Sequence, residues 1–154
     1  VDTVRAATAA WPVPARIVTD AREKLAVFRT ARAALTKSGT STLELALAGI
    51  PMVAAYKLSL IEAGVAQLLI QVPSVILANL VLGEAAVPEL LQFACTPARL
   101  AGALTPLLSD TPERRRQIDA LARLDVVMGI GGEAPSARAA AVVLDMIAGV
   151  RRPP

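Results

Sequence analysis

Residues 32–57 read RAALTKSGTSTLELALAGIPMVAAYK: a short apolar run, a turn of small residues, a helical pattern, a Gly-Ile-Pro stop and a second apolar run. Strand, helix and strand joined by connections this short leave few folds open. A helix that returns the chain to a neighbouring parallel strand crosses over right-handed, and repetition of the unit builds an open parallel sheet with helices packed against it. The spacing predicts strands over 32–38 and 51–57. Between them a helix starts near Ser41 and ends at Gly49, a C-cap glycine, with Pro51 barring its continuation.

The flanks continue the alternation. A β-branched run at 14–20 (PARIVTD) reads as an earlier strand and 21–31 as a helix. Beyond the central unit, 60–71 reads as a helix broken at Pro73, and 74–80 (SVILANL) as a further strand. The last third changes character. Thr96-Pro97 and Thr111-Pro112 each pair a capping residue with proline at the first helical position, and a final helix is expected over 136–149. The expected organisation is one α/β domain over 1–154, with the sheet in 1–95 and a helical extension in 96–150. Residues 1–11 read as the tail of a helix, so the domain is expected to be incomplete at its amino end.

Composition removes several kinds of chemistry. The chain has no histidine and one cysteine, Cys95, so neither a zinc site of the usual kind nor a Ser-His-Asp or Cys-His apparatus is available. Cys95 reads as a small buried apolar residue in a chain adapted to a reducing compartment. Aromatics are 3% of residues and the net charge is +3, a poor match to a nucleic-acid surface despite Arg114, Arg115 and Arg116. That triplet reads as a solvated helix face. Residues 63–83 carry no charge and are long enough on paper to span a bilayer. Pro73 in the middle and the amides of Gln67, Gln71 and Asn79 argue against it.

The chemistry concentrates at the first turn. Ser38, Gly39, Thr40 and Ser41 follow a strand and open a helix, the place where open α/β sheets hold ligands. Glycine lets the backbone approach a phosphate, and hydroxyls and free helix-start amides can donate to it. Glu44 lies one turn further on, within reach of a ribose diol. Ser41-x-x-Glu44 also fits a capping box, in which the carboxylate only satisfies a backbone amide. Local sequence alone favours the cap.

Two blocks carry a family resemblance. SGTSTLELALAGIPMVAAYK at 38–57 and VPSVILANLVLGEAAVPELLQ at 72–92, followed by a Thr-Pro helix, resemble the carboxyl-terminal half of the lipid-A-disaccharide synthases over roughly residues 14–147. The first block is shared loosely among UDP-sugar enzymes; NLVLGEAAVPELLQ is the more specific. The resemblance implies half of a two-Rossmann-domain (GT-B) glycosyltransferase. Its donor is a UDP-activated diacylglucosamine, its acceptor an acylated glucosamine phosphate, and it needs no metal and no cofactor. It implies that Ser38, Gly39, Thr40 and Ser41 hold the pyrophosphate, that Glu44 meets the ribose, and that Asn79, Glu89 and Gln92 line the donor site. On a helix Glu89 and Gln92 would share a face; their plainer reading is a helix start after Pro88. The general base is expected in an amino-terminal half, which would leave this segment inactive alone. Acylated substrates imply a cytoplasmic location, peripheral at the inner membrane. Another UDP-sugar transferase or epimerase, or a noncatalytic interaction remnant, stands as the alternative. Gly129-Ile130-Gly131-Gly132 follows a helix rather than a strand and reads as a helix stop. Trp11 reads as packing, and Lys57 as a strand-end cation near phosphate or in water.

Overall fold

The computed structural model describes residues 1–58 and 73–147. The helix expected over 60–71 lies outside them. Three strands, β1 (Ala34–Lys37), β2 (Met52–Tyr56) and β3 (Glu89–Leu91), form a parallel sheet in the order β1-β2-β3. Its register pairs Ala34 with Met52 and Ala54 with Glu89. The described α-helices number eight: α1 (Asp2–Thr8), α2 (Ala21–Thr30), α3 (Thr40–Leu47), α4 (Leu77–Leu82), α5 (Pro97–Leu104), α6 (Pro112–Leu121), α7 (Leu124–Met128) and α8 (Pro135–Ile147). The α/β class and the helical carboxyl-terminal third are as the sequence predicts.

The centre of the sheet is dry. Met52, Val53 and Ala54 are consecutive and all buried, so both faces of β2 are covered, as parallel sheets require. Met52 and Ala54 join Leu45 and Ala46 of α3, Ile50, Ile76, Ala78 of α4, Val87, Leu121 and Leu124 in one core, with Phe28 of α2 packed against it. A buried amide completes the ladder. The Gln117 side chain receives the Met52 N–H and donates to the Met52 carbonyl (3.1 Å) and to the Ala86 carbonyl (3.2 Å). It stands in for a strand where β3 has not yet begun.

Helix starts follow the Thr-Pro reading. The Thr96 hydroxyl accepts from the Arg99 amide and the Thr111 hydroxyl from the Arg114 amide. Gly129, at φ 65°, closes α7 as a left-handed cap. Six expectations fail. Residues 14–20 form no strand, and β1 is left as the edge of the described sheet. Residues 74–80 do not form a strand either: α4 occupies Leu77–Leu82, capped by Gly83 in the left-handed conformation. The segment after Pro88 is strand β3 rather than a helix, since proline opens a strand as readily as a helix and β2 offers an edge to pair with. The arginine triplet is not one solvated face. Arg116 pairs with Glu113 in water, but the Arg114 guanidinium turns inward to the carbonyls of Arg32 and Leu107. Trp11 also departs from its reading and is 58% exposed, while Cys95 is only half-buried.

Candidate functional site at the carboxyl edge of the sheet

All three strands point the same way, so their carboxyl ends share one edge. Ser38 to Ser41 follow β1, Lys57 and Leu58 follow β2, and Gln92 follows β3. Gly39 makes the first turn possible. Its φ of 150° and ψ of −168° fall in a region only glycine occupies comfortably, and a Cβ there would meet no atom within 4 Å. The demand is therefore conformational rather than a matter of crowding. Helix α3 starts at Thr40, with the Thr42 hydroxyl bonded back to the Gly39 carbonyl at 2.7 Å. The amides of Thr40 and Ser41 are first-turn donors with no intrahelical acceptor, and they carry the positive end of the helix dipole.

The capping box does not form. Because α3 begins one residue before Ser41, that serine is inside the helix; Gly39 is the cap, with no side-chain capping bond. Glu44 instead receives the Lys24 ammonium of α2 at 2.7 Å, both groups about half exposed. The pair stands in an open groove of about 580 Å³ lined also by Leu25, Phe28 and Leu47. Glu44 is thus available at the surface, one turn from the loop.

The other expected residues gather behind the turn. The Ser38 hydroxyl donates to the Val75 carbonyl at 2.7 Å. Glu89 accepts from the Ser74 hydroxyl, from the Val75 amide at 3.0 Å and from the Asn79 side chain at 2.9 Å. Asn79, 2% exposed, also donates to the Val87 carbonyl (2.9 Å) and accepts from the Val87 amide (2.8 Å). Gln92, in the left-handed conformation at φ 46°, accepts from the Leu58 amide at 3.0 Å. A non-glycine residue there is uncommon. Ser38, Asn79 and Glu89 therefore form one connected network; Gln92 joins the ends of β2 and β3, and Glu44 stands apart with Lys24.

The sequence reading passed over Lys37 as a site residue. Its ammonium lies over the Tyr56 ring, 5.1 Å from the centroid, at the ends of adjacent strands and directly before Ser38. Its place beside the Ser-Gly-Thr turn was the available signal.

The family model for lipid-A-disaccharide synthetase matches residues 14–141. The chain belongs to the lipid-A-disaccharide synthase family. Relatives named lipid-A-disaccharide synthase include one from Nitrobacter hamburgensis, 55% identical over 153 residues, which cover 99% of this chain and 39% of the relative. Another, from Bradyrhizobium diazoefficiens, is 57% identical over 142 residues, 92% of this chain and 36% of the relative. A third, from Rhodopseudomonas palustris strain HaA2, is 51% identical over 146 residues, 95% of this chain and 37% of the relative. No solved structure matches the chain. This member of the lipid-A-disaccharide synthase family thus spans less than two-fifths of the length of these relatives. Among the described residues no helix is long and apolar enough to cross a membrane.

Proposed function

We propose that the chain supplies the UDP-binding site of a lipid-A-disaccharide synthase. The reaction joins UDP-2,3-diacylglucosamine to 2,3-diacylglucosamine 1-phosphate, releasing UDP with inversion at the anomeric carbon. The observation that carries the reading is Gly39 in its glycine-only conformation, opening a helix at the carboxyl end of a parallel strand. That arrangement suits a diphosphate.

As the glycosidic bond to UDP breaks, negative charge grows on the departing diphosphate. The amides of Thr40 and Ser41 and the positive end of α3 are fixed before the reaction, so they stabilise that charge with little reorganisation, and the exposed hydroxyls of Thr40 and Ser41 turn to donate as the ligand arrives. Lys37 adds a cation one residue before the turn. The Ser38 hydroxyl has committed its hydrogen to Val75, so Ser38 serves the diphosphate through its backbone. Glu44 accepts hydrogen bonds from the ribose diol, exchanging part of its contact with Lys24. Acylated substrates would bring the chain to the cytoplasmic surface of the inner membrane.

Isothermal titration of UDP into the chain tests the proposal. Saturable binding that Glu44→Ala weakens roughly tenfold, the cost of one or two lost hydrogen bonds to a charged acceptor, supports it. A folded sample that takes up no UDP contradicts it.

A further inference from the structure

We infer that Glu89 is a positioning residue that holds the 38–41 turn through Val75, and that neither it nor Asn79 touches the nucleotide. The inference rests on that turn being the diphosphate site. Glu89 opens β3, and its two oxygens accept from Ser74 and Asn79 on one and from Val75 on the other. The Val75 amide thus points at the Glu89 carboxylate while its carbonyl receives the Ser38 hydroxyl. Residue 75 is clamped between β3 and the turn after β1, two segments that no strand pairing joins directly.

Asn79 fixes the other side of the clamp. Both hydrogens of its amide are donated, to Val87 and to Glu89, and its oxygen accepts from Val87. A side chain so engaged and so buried has no donor left for a ligand. Its work is to aim the Glu89 carboxylate and to tie α4 to the entry of β3.

The charge matters because every partner of Glu89 is a donor. A carboxylate accepts from all of them, and such charge-assisted bonds are stronger than neutral ones. Glutamine at this position keeps one oxygen but sets an NH2 group against the Val75 or Asn79 N–H. One contact becomes repulsive, Val75 shifts, and Ser38 loses its fixed acceptor. The turn then spends less time in the arrangement that receives the diphosphate.

The test combines UDP titration of the wild-type chain, Glu89→Gln, Ser38→Ala and the double variant with amide NMR spectra recorded without ligand. The expected result is a roughly tenfold loss of UDP affinity in Glu89→Gln. The double variant should be no weaker than that single one, because the two residues act along one path. In ligand-free protein, Glu89→Gln should shift the amide resonances of Gly39, Thr40 and Ser41. Additive affinity losses, or turn amides that stay in place, would overturn the inference. If Glu89→Gln does not fold, Ser38→Ala, which deletes one hydroxyl, decides: the Val75 amide and the Asn79 side-chain resonances must move, and unmoved resonances reject the link. Absence of UDP binding by the wild type would overturn the donor-site reading alone, and the ligand-free spectra would still decide whether Glu89 holds the turn.

Discussion

Gly39 combines a backbone geometry that L side chains rarely adopt with a position at the mouth of the sheet. Alanine there costs about 1–3 kcal/mol if the turn keeps its shape; otherwise the turn relaxes and the Thr40 and Ser41 amides diverge. Gly39→Ala is therefore expected to lower UDP affinity at least about tenfold with the fold retained by circular dichroism. Gln117 carries a different burden. Its replacement by leucine would leave the N–H and carbonyl of Met52 and the carbonyl of Ala86 without that partner. A destabilisation of at least about 3 kcal/mol in urea unfolding is expected, from three groups at about 1–3 kcal/mol each; a change below about 0.5 kcal/mol, the surface-substitution level, would contradict its role as a substitute strand. The turn was legible in the sequence because glycine between two hydroxyl residues after a strand has few other uses. Gln117 was not legible, since nothing local marks a glutamine whose partners lie 65 and 31 residues away.

Elements were legible where a cap or a turn marks their ends. The Thr-Pro helices and the strand–helix–strand unit fall within a few residues of their expected places. Residues 74–80 were misread because helical period was hidden: Ala78 and Asn79 are buried and Val81 and Leu82 pack on the core, yet the solvent-facing Leu77 and Leu80 are apolar too. Residues 89–91 were misread because only the free edge of β2, a tertiary fact, makes them a strand. At the same scale, Asp110, between α5 and α6, pins the helical extension to Arg32, two residues beyond the end of α2. It pairs with Arg32, which also donates to the Leu108 carbonyl, and lies 3.9 Å from Arg114. The hydrogen bond from Arg32 and its charge, then the charges of Arg114 and Arg115, lower the Asp110 pKa below its ordinary carboxylate value. A depressed folded pKa contributes stability above the unfolded value of about 3.9, and the contribution is lost as pH falls through the folded pKa. Carboxyl-carbon NMR titration should place Asp110 below the ordinary range and Arg32→Gln should raise it; identical midpoints would contradict the pairing.

At the scale of the whole molecule, the carboxyl edge of the sheet brings together Ser38 to Ser41, Lys57 and Gln92, and the core behind it is closed by α3, α4 and α7. The chain matches relatives along nearly all its length while spanning 39% of the Nitrobacter protein. The account accordingly predicts UDP binding without sugar transfer by this chain alone; turnover of the acylated substrates would contradict that division of labour. The central claim is that converging peptide dipoles at the start of α3 hold the diphosphate. A crystal structure of the chain with UDP tests it most directly. The account predicts diphosphate oxygens within about 3.2 Å of the Thr40 and Ser41 amides, with the ribose turned toward Glu44. Ordered UDP elsewhere, with those amides facing only water, would contradict it.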